Sequence, residues 1–397
     1  MHKAKFFSGL LLAIIFIVSV VYFLNRSAFQ TVYQNREALA EGSEWVEKTY
    51  SLAGLIDYIE GNPEYVSVTS LNLTYPDQSI RYHDEKPRVA GAVGHIVLLG
   101  TWMEAVGQGR FPADSLVALE DIERFHVPNV ASSSHRAGMG LLYDQSEDEY
   151  VQLKAVVQNA LKNNHLASAD FWYDLLGFER IDSFRRYHFG DDIETPLPWS
   201  GFYILAQPML HGQPAGEKLK ELSSIPRDSL YALNLDRFSR YQSDEEYRSQ
   251  VQQAFGGDGH NLNFIEQRKL YNLLPRATTY ALARFAEKIF NEELISTEAS
   301  QQMYDLMNWP LEEQATRRHL ERYGAVYDNR MSLLGGIDFG ESAYTGERYA
   351  QAILYDDMPI GLWMHMSSNF MNQDYQKRLM YDPELHRRSV SALTDCE

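Results

Sequence analysis

The 397-residue sequence predicts a mixed α/β (α+β) domain carried behind a single N-terminal membrane helix. Three observations predict it. A charge-free apolar run opens the chain, strand-like patterns lie near both ends of the remainder, and helical periodicity fills the middle. An antiparallel sheet built from both chain ends, with helices packed on it and a helical subdomain of residues 110–315 inserted, fits that order.

Phe6 to Leu24 contains no charged residue, and only Ser8, Gly9 and Ser19 interrupt its apolar character. A helix of that length spans roughly 30 Å, the hydrocarbon thickness of a bilayer. A cleaved signal peptide is the competing reading. Its apolar region is normally about 7–15 residues with an A-x-A-like site behind it, and Asn25-Arg26-Ser27-Ala28 makes a poor site. Lys3 and Lys5 precede the run and place the N-terminus in the cytoplasm, although Arg26 just beyond it weighs the other way. The expected division is a cytoplasmic stub at 1–5, a span at 6–24, a partly helical polar connector at 25–42 and a folded domain at 43–397. That domain lies outside the cytoplasm, on the far side of a bacterial inner membrane.

Within the folded part, Leu52, Leu55, Ile56 and Ile59 share one helix face, and Gly61-Asn62-Pro63 stops that helix. Val66 to Leu73 reads as a strand, Tyr75-Pro76-Asp77-Gln78 as a turn and Ser79 to His83 as the return strand. Gly91 to Val106 is apolar almost all round, the mark of a helix buried on every side. Helical segments follow at 150–161, 170–176, 263–274, 278–290 and 297–306. Ala350 to Tyr355 and Ile360 to Met366 read as strands around a turn at 356–359, and a last helix starts near Asn372.

The formal charge is −18 and 45% of residues are hydrophobic, so the chain can bury a large core and repels nucleic acid and anionic headgroups. Membrane attachment therefore falls to the apolar helix. Cys396 is the single cysteine, which excludes an intrachain disulfide and thiolate metal clusters. No cofactor or metal is expected. Gly256-Gly257-Asp258-Gly259-His260 follows no strand and lacks Lys-Ser/Thr, so it is no phosphate loop, and Asp258 with His260 is too few ligands for a metal. Ser132-Ser133-Ser134-His135 reads as a polar turn, because triad members meet through the fold rather than side by side.

Several segments carry a resemblance. Arg88-Val89-Ala90-Gly91-Ala92-Val93-Gly94-His95-Ile96-Val97-Leu98 is similar to the Pro-Leu-Ala-Ser-Thr-Val-Lys-Ile-Ile-Val-Leu segment of the class A β-lactamase-like serine hydrolases. Residues 118–128 and 167–177, Pro196-Leu197-Pro198-Trp199-Ser200-Gly201, and Gly335 after Ser332-Leu333 resemble further segments of that family in the same order. The likeness runs from about Leu52 to about Met366 and implies a β-lactamase/transpeptidase-like, penicillin-recognising fold.

The resemblance also implies where the chemistry would sit, and there this sequence departs. The family's nucleophilic serine falls on Gly91 and its lysine base, one turn later, on Gly94, and glycine supplies neither group. No Ser-x-x-Lys occurs between Lys86 and Gly107. The Ser-Asp-Asn triplet maps to Asn164-His165-Leu166, and the Lys-Thr/Gly-Gly strand motif to Asn329-Arg330-Met331. Glu194 in Glu194-Thr195-Pro196-Leu197 resembles the loop glutamate that positions a deacylating water, or is a surface glutamate beside a Pro-rich turn. No catalytic residue is therefore expected. His95, Asn164, His165, Glu194 and Arg330 stand as ligand candidates around the old cleft. His95 is a buried helix histidine on the plainer reading. Arg330 either binds a carboxylate or fills the vacated pocket by pairing with Asp328 or Asp338. The function this implies is a membrane-anchored pseudoenzyme that binds a protein partner or a cell-wall-like peptide. A serine hydrolase with a rebuilt site is the alternative. The sequence leaves the oligomeric state open.

Overall fold

The computed structural model describes residues 26–256, 262–308 and 318–394. The stub at 1–5, the expected membrane helix at 6–24, Asp258 and His260 of the glycine-rich loop and Cys396 lie outside them. Among the described residues no helix is long and apolar enough to cross a membrane.

Five antiparallel strands form the main sheet in the order β2-β1-β9-β8-β7. They are β1 (Val66–Asn72), β2 (Ile80–Tyr82), β7 (Leu320–Asp328), β8 (Leu334–Ser342) and β9 (Arg348–Tyr355). Two short pairs flank it: β3 (Arg88–Val89) with β6 (Arg276–Ala277), and β4 (Leu116–Ala118) with β5 (Tyr150–Gln152). The sheet thus draws on both chain ends, and strand order and helical insertion agree with the fold that the sequence resemblance implies.

Alternation along the strands serves two cores. Val66 and Val68 of β1 and Ile353 and Tyr355 of β9 face Leu55, Ile56 and Ile59 of the helix Leu52–Gly61. Helices Ile360–Ser368, Met371–Tyr381 and Pro383–Leu393 add to the same side. Ala350, Ala352 and Leu354 face the other side, with helices His95–Gly107 and Thr279–Phe290. Thr69 of β1 bonds Thr279 there at 2.9 Å. Because both faces are covered, β8 and β9 are buried at nearly every position. Burying one Ile or Leu side chain contributes about 1.5–3 kcal/mol, so both faces of the sheet contribute to stability. Helix His95–Gly107 is buried on most sides and joins this core to the helical subdomain. The connector is helical over Arg26–Gln34 and Arg36–Ala40.

Three readings need correction. Ile360 to Met366 is not a strand but part of the helix Ile360–Ser368, with Pro359 at its N-cap. β9 already has β1 on one edge and β8 on the other, so a hairpin return from Asp356-Asp357 has no free edge to join. The alternating apolar residues of this short run did not separate helix from strand. Asn329-Arg330-Met331 is likewise not on a strand. These residues leave the end of β7 in the connection to β8. The C-terminal helix is in fact two, separated at Asp382, whose carboxylate caps the second by accepting from the amides of Glu384 and Leu385.

Candidate functional site

The chain enters the buried helix through β3 and a 3-10 turn, Gly91–Gly94. Gly91 has φ +54°, a left-handed conformation that glycine adopts freely. Opposite it stands Asp328, the last residue of β7. Its carboxylate accepts from the Ala92 amide at 2.7 Å and from the Arg330 amide at 3.2 Å. A Cβ built on Gly91 would lie 2.1 Å from Asp328 Oδ2. The space into which a side chain at 91 would project is therefore taken by a carboxylate, which also complements the positive end of the helix. Gly94 differs: a Cβ there would meet Ala90 and Pro196 only at ordinary distances.

Arg330 closes the pocket. Its guanidinium donates to Asp328 at 2.8 Å and to the Asn164 carbonyl at 3.4 Å. It also lies over the Trp199 ring, 3.9 Å from the centroid. With side-chain exposures of 11% for Arg330 and 2% for Asp328, this is a buried pair in which either partner alone would be an unpaired charge. Asp338, the other candidate partner, instead accepts from Tyr327 at 2.9 Å and Gln376 at 3.2 Å, and burial pushes its carboxyl up to about 7. Trp199 donates its indole N–H to His95 Nε2 at 2.9 Å. Burial, then the Arg330 charge, holds His95 down to about 3, so His95 is a neutral core residue.

Asn164 has φ +51° and donates to the Tyr327 carbonyl at 3.0 Å, which ties the 162–164 turn to β7. His165 points away from this region. It caps the helix Leu166–Leu176, with Nδ1 accepting from the Ser168 amide at 3.3 Å. That backbone donor fixes the neutral tautomer: Nδ1 accepts, so Nε2 carries the proton. Nε2 donates to His135 Nδ1 at 2.9 Å, and His135 Nε2 in turn donates to Glu123 at 3.1 Å. His126 stacks on His135 at 3.5 Å between centroids. Gly138 permits the arrangement, because a Cβ there would lie 2.6 Å from the His165 ring. Burial first, then neighbouring His135, pushes His165 down to about 3 and His126 to about 4. Glu123, His126 and His135 were not readable as a group with His165. They are far apart in sequence, and Ser132-Ser133-Ser134-His135 opens the helix Ser132–Asp144 rather than forming a turn. Ser168 Oγ is 2.7 Å from His165 Nδ1, but Ser168 is wholly buried.

Glu194 has its lone pairs engaged. It accepts from Arg227, Tyr231 and, at 2.8 Å, the Arg276 amide. Burial raises its carboxyl, but the bonds from Arg227 and Tyr231 outweigh that and the net shift is downward. Leu166 and Met331 pack at the margin of the main core, and Asn329 is exposed. Among the described residues no group of His, Cys, Asp or Glu could hold a metal ion.

Beside the filled pocket lies an open groove of about 700 Å³. The 162–164 turn, the end of β7 and the helix Met371–Tyr381 form its walls, and Asn164 and Asn329 are among its lining residues.

No protein-family model matches the sequence, and no curated protein matches it. Solved structures do. A β-lactamase from Sphaerobacter thermophilus is 11% identical, covering 85% of this chain and 96% of that one, with a TM-score of 0.48. A mutant of the chromosome-encoded β-lactamase of Vibrio parahaemolyticus is 9% identical over 86% of this chain and 99% of that one, with a TM-score of 0.46. PBP-A is 13% identical over 83% of this chain and 97% of that one, with a TM-score of 0.42. At such identities and TM-scores the similarity carries no argument about chemistry, which rests on the residues of this chain alone.

Proposed function

We propose that the chain is a β-lactamase-like pseudoenzyme, a binding or scaffolding module held outside the cytoplasm by its N-terminal apolar helix. One observation carries the reading. The place of a nucleophile is Gly91, and the space before it holds the buried Asp328–Arg330 pair. Glycine offers no attacking oxygen, and Gly94 no base. Glu194, the one acidic remnant, is bound to Arg227 and Tyr231 rather than free to position a water. A protein partner or a cell-wall-like peptide is the class of ligand such a module would meet there, and nucleic acid is disfavoured by the −18 charge.

A rebuilt hydrolase site has one observation in its favour, the Ser168–His165–His135–Glu123 chain. Ser168 has no access to solvent and His165 is engaged as a helix cap, so the chain serves structure. The test is labelling of the full-length protein with a fluorescent penicillin and with a fluorophosphonate. No labelling is expected from either. Stoichiometric labelling at a single serine would overturn the proposal, and labelling at Ser168 would establish the rebuilt site.

A further inference from the structure

The 700 Å³ groove has a composition unlike the rest of the molecule. In a chain with 54 acidic and 36 basic residues, it presents Lys162 and Lys377, neither of which has an ion-pair partner among the described residues. Lys162 donates to the Asn308 carbonyl at 3.0 Å, and burial presses its ammonium below the usual lysine range. Lys377 lies on the helix Met371–Tyr381, and its charge acts on the buried Asp338. The groove's own acid, Asp374, is engaged by Arg378 at 3.0 Å. Among the described residues neither ammonium is neutralised by a direct ion pair, and Lys377 otherwise faces the Tyr323 ring at 5.9 Å, so both can meet an anionic ligand.

The other lining groups narrow the ligand. Asn329 and Gln373 supply amide donors and acceptors. Phe370, at the start of the 371–381 helix, is 63% exposed and has φ +51°. Glycine or asparagine would take that turn conformation at less steric cost. A bulky aromatic ring held out to solvent at a strained position is the kind of outlier found at ligand clamps. An aromatic face stacks on the C–H face of a sugar ring, amides bond its hydroxyls, and an ammonium meets a carboxylate. Pockets for small ligands fall between about 300 and 1,000 Å³, so this groove has room for such a molecule.

We propose that the groove between the 162–164 turn, the end of β7 and the helix Met371–Tyr381 binds an acidic sugar, with its carboxylate met by Lys162 and Lys377 and a ring on Phe370. The site is separate from the Gly91 pocket, so it stands whether or not the pseudoenzyme reading does. The test is titration calorimetry of the full-length chain with digalacturonate, with neutral galactobiose and with acetate. Digalacturonate should bind saturably, and both controls at least about tenfold more weakly. The Lys162→Gln/Lys377→Gln double variant should bring digalacturonate down to the level of galactobiose. Phe370→Gly relaxes the backbone while removing the ring, and should weaken both sugars with no loss of thermal stability. Absence of saturable digalacturonate binding overturns the proposal. So does equal binding of galactobiose, and binding of acetate as tight as digalacturonate would reduce the site to an anion site and overturn the sugar assignment. Serine labelling by penicillin would sink the pseudoenzyme reading and leave these titrations unaffected, so the two failures are distinguishable.

Discussion

At the scale of single residues, the account turns on Gly91, Asp328 and Arg330. That Gly91 falls where the resemblance would put a nucleophilic serine was legible in the sequence, from the segment Arg88 to Leu98. What replaced it was not legible. Asp328 is 236 positions from the Ala92 amide it caps, and no local pattern announces such a pairing. Arg330 could be read toward either of two aspartates, and the structure pairs it with Asp328. The consequence is testable. Gly91→Ala forces a left-handed conformation, about 1–2 kcal/mol, and drives a methyl into a buried carboxylate, a further 1–3 kcal/mol for overpacking. Denaturant unfolding should show a loss of about 2–5 kcal/mol by that sum. A neutral outcome would mean that Asp328 does not occupy this space in solution.

At the scale of elements, the helix Leu166–Leu176 depends on a histidine for its N-cap. From that cap a run of hydrogen bonds leads through His165 and His135 to Glu123. His165 and His126 are held down to about 3 and about 4 in the folded chain, against about 6.5 when unfolded. The unfolded state therefore binds more protons below about pH 6.5, so their contribution to stability is present above that pH and is lost as pH falls toward 4. Thermal melting should drop steadily from pH 7 to pH 4.5. His165→Asn keeps a capping side chain but removes the titration, and should flatten that slope. An unchanged slope would place the acid sensitivity elsewhere.

The same scale shows which elements were readable. The helices Leu52–Gly61, Thr279–Phe290 and Thr297–Met307 and the strands β1 and β9 announce themselves by period. Two edge-side strands did not. β8 is Leu334-Gly335-Gly336-Ile337-Asp338-Phe339-Gly340, whose glycines and buried aspartate blur the alternation, and β7 carries Tyr, Arg and Gly in place of a β-branched run. Ile360–Ser368 misled because its apolar residues alternate by chance over a stretch too short to show a helical period.

At the scale of the whole molecule, a sheet assembled from both chain ends is covered on both faces, and the helical subdomain joins it through Thr279–Phe290 as well as the buried helix His95–Gly107. Among the described residues both cores are built from positions at and beyond Trp45. Removing the chain up to about Asn25 should yield a folded domain with a single cooperative melt, released from membranes and without function in the cell. A truncated domain that restores full function would make the apolar helix only a delivery signal and weaken the scaffold reading. The whole chain carries −18, and residues 1–25 hold two lysines and no acid, so the released domain is more negative still and is repelled by anionic lipid.

The central claim is that the Gly91 pocket is closed to acyl chemistry by Asp328 and Arg330. Intact-mass spectrometry of the full-length protein after prolonged incubation with a penicillin tests it most directly. The account predicts an unchanged mass at every time point. A stable increase equal to one penicillin, mapped to one serine, would contradict it.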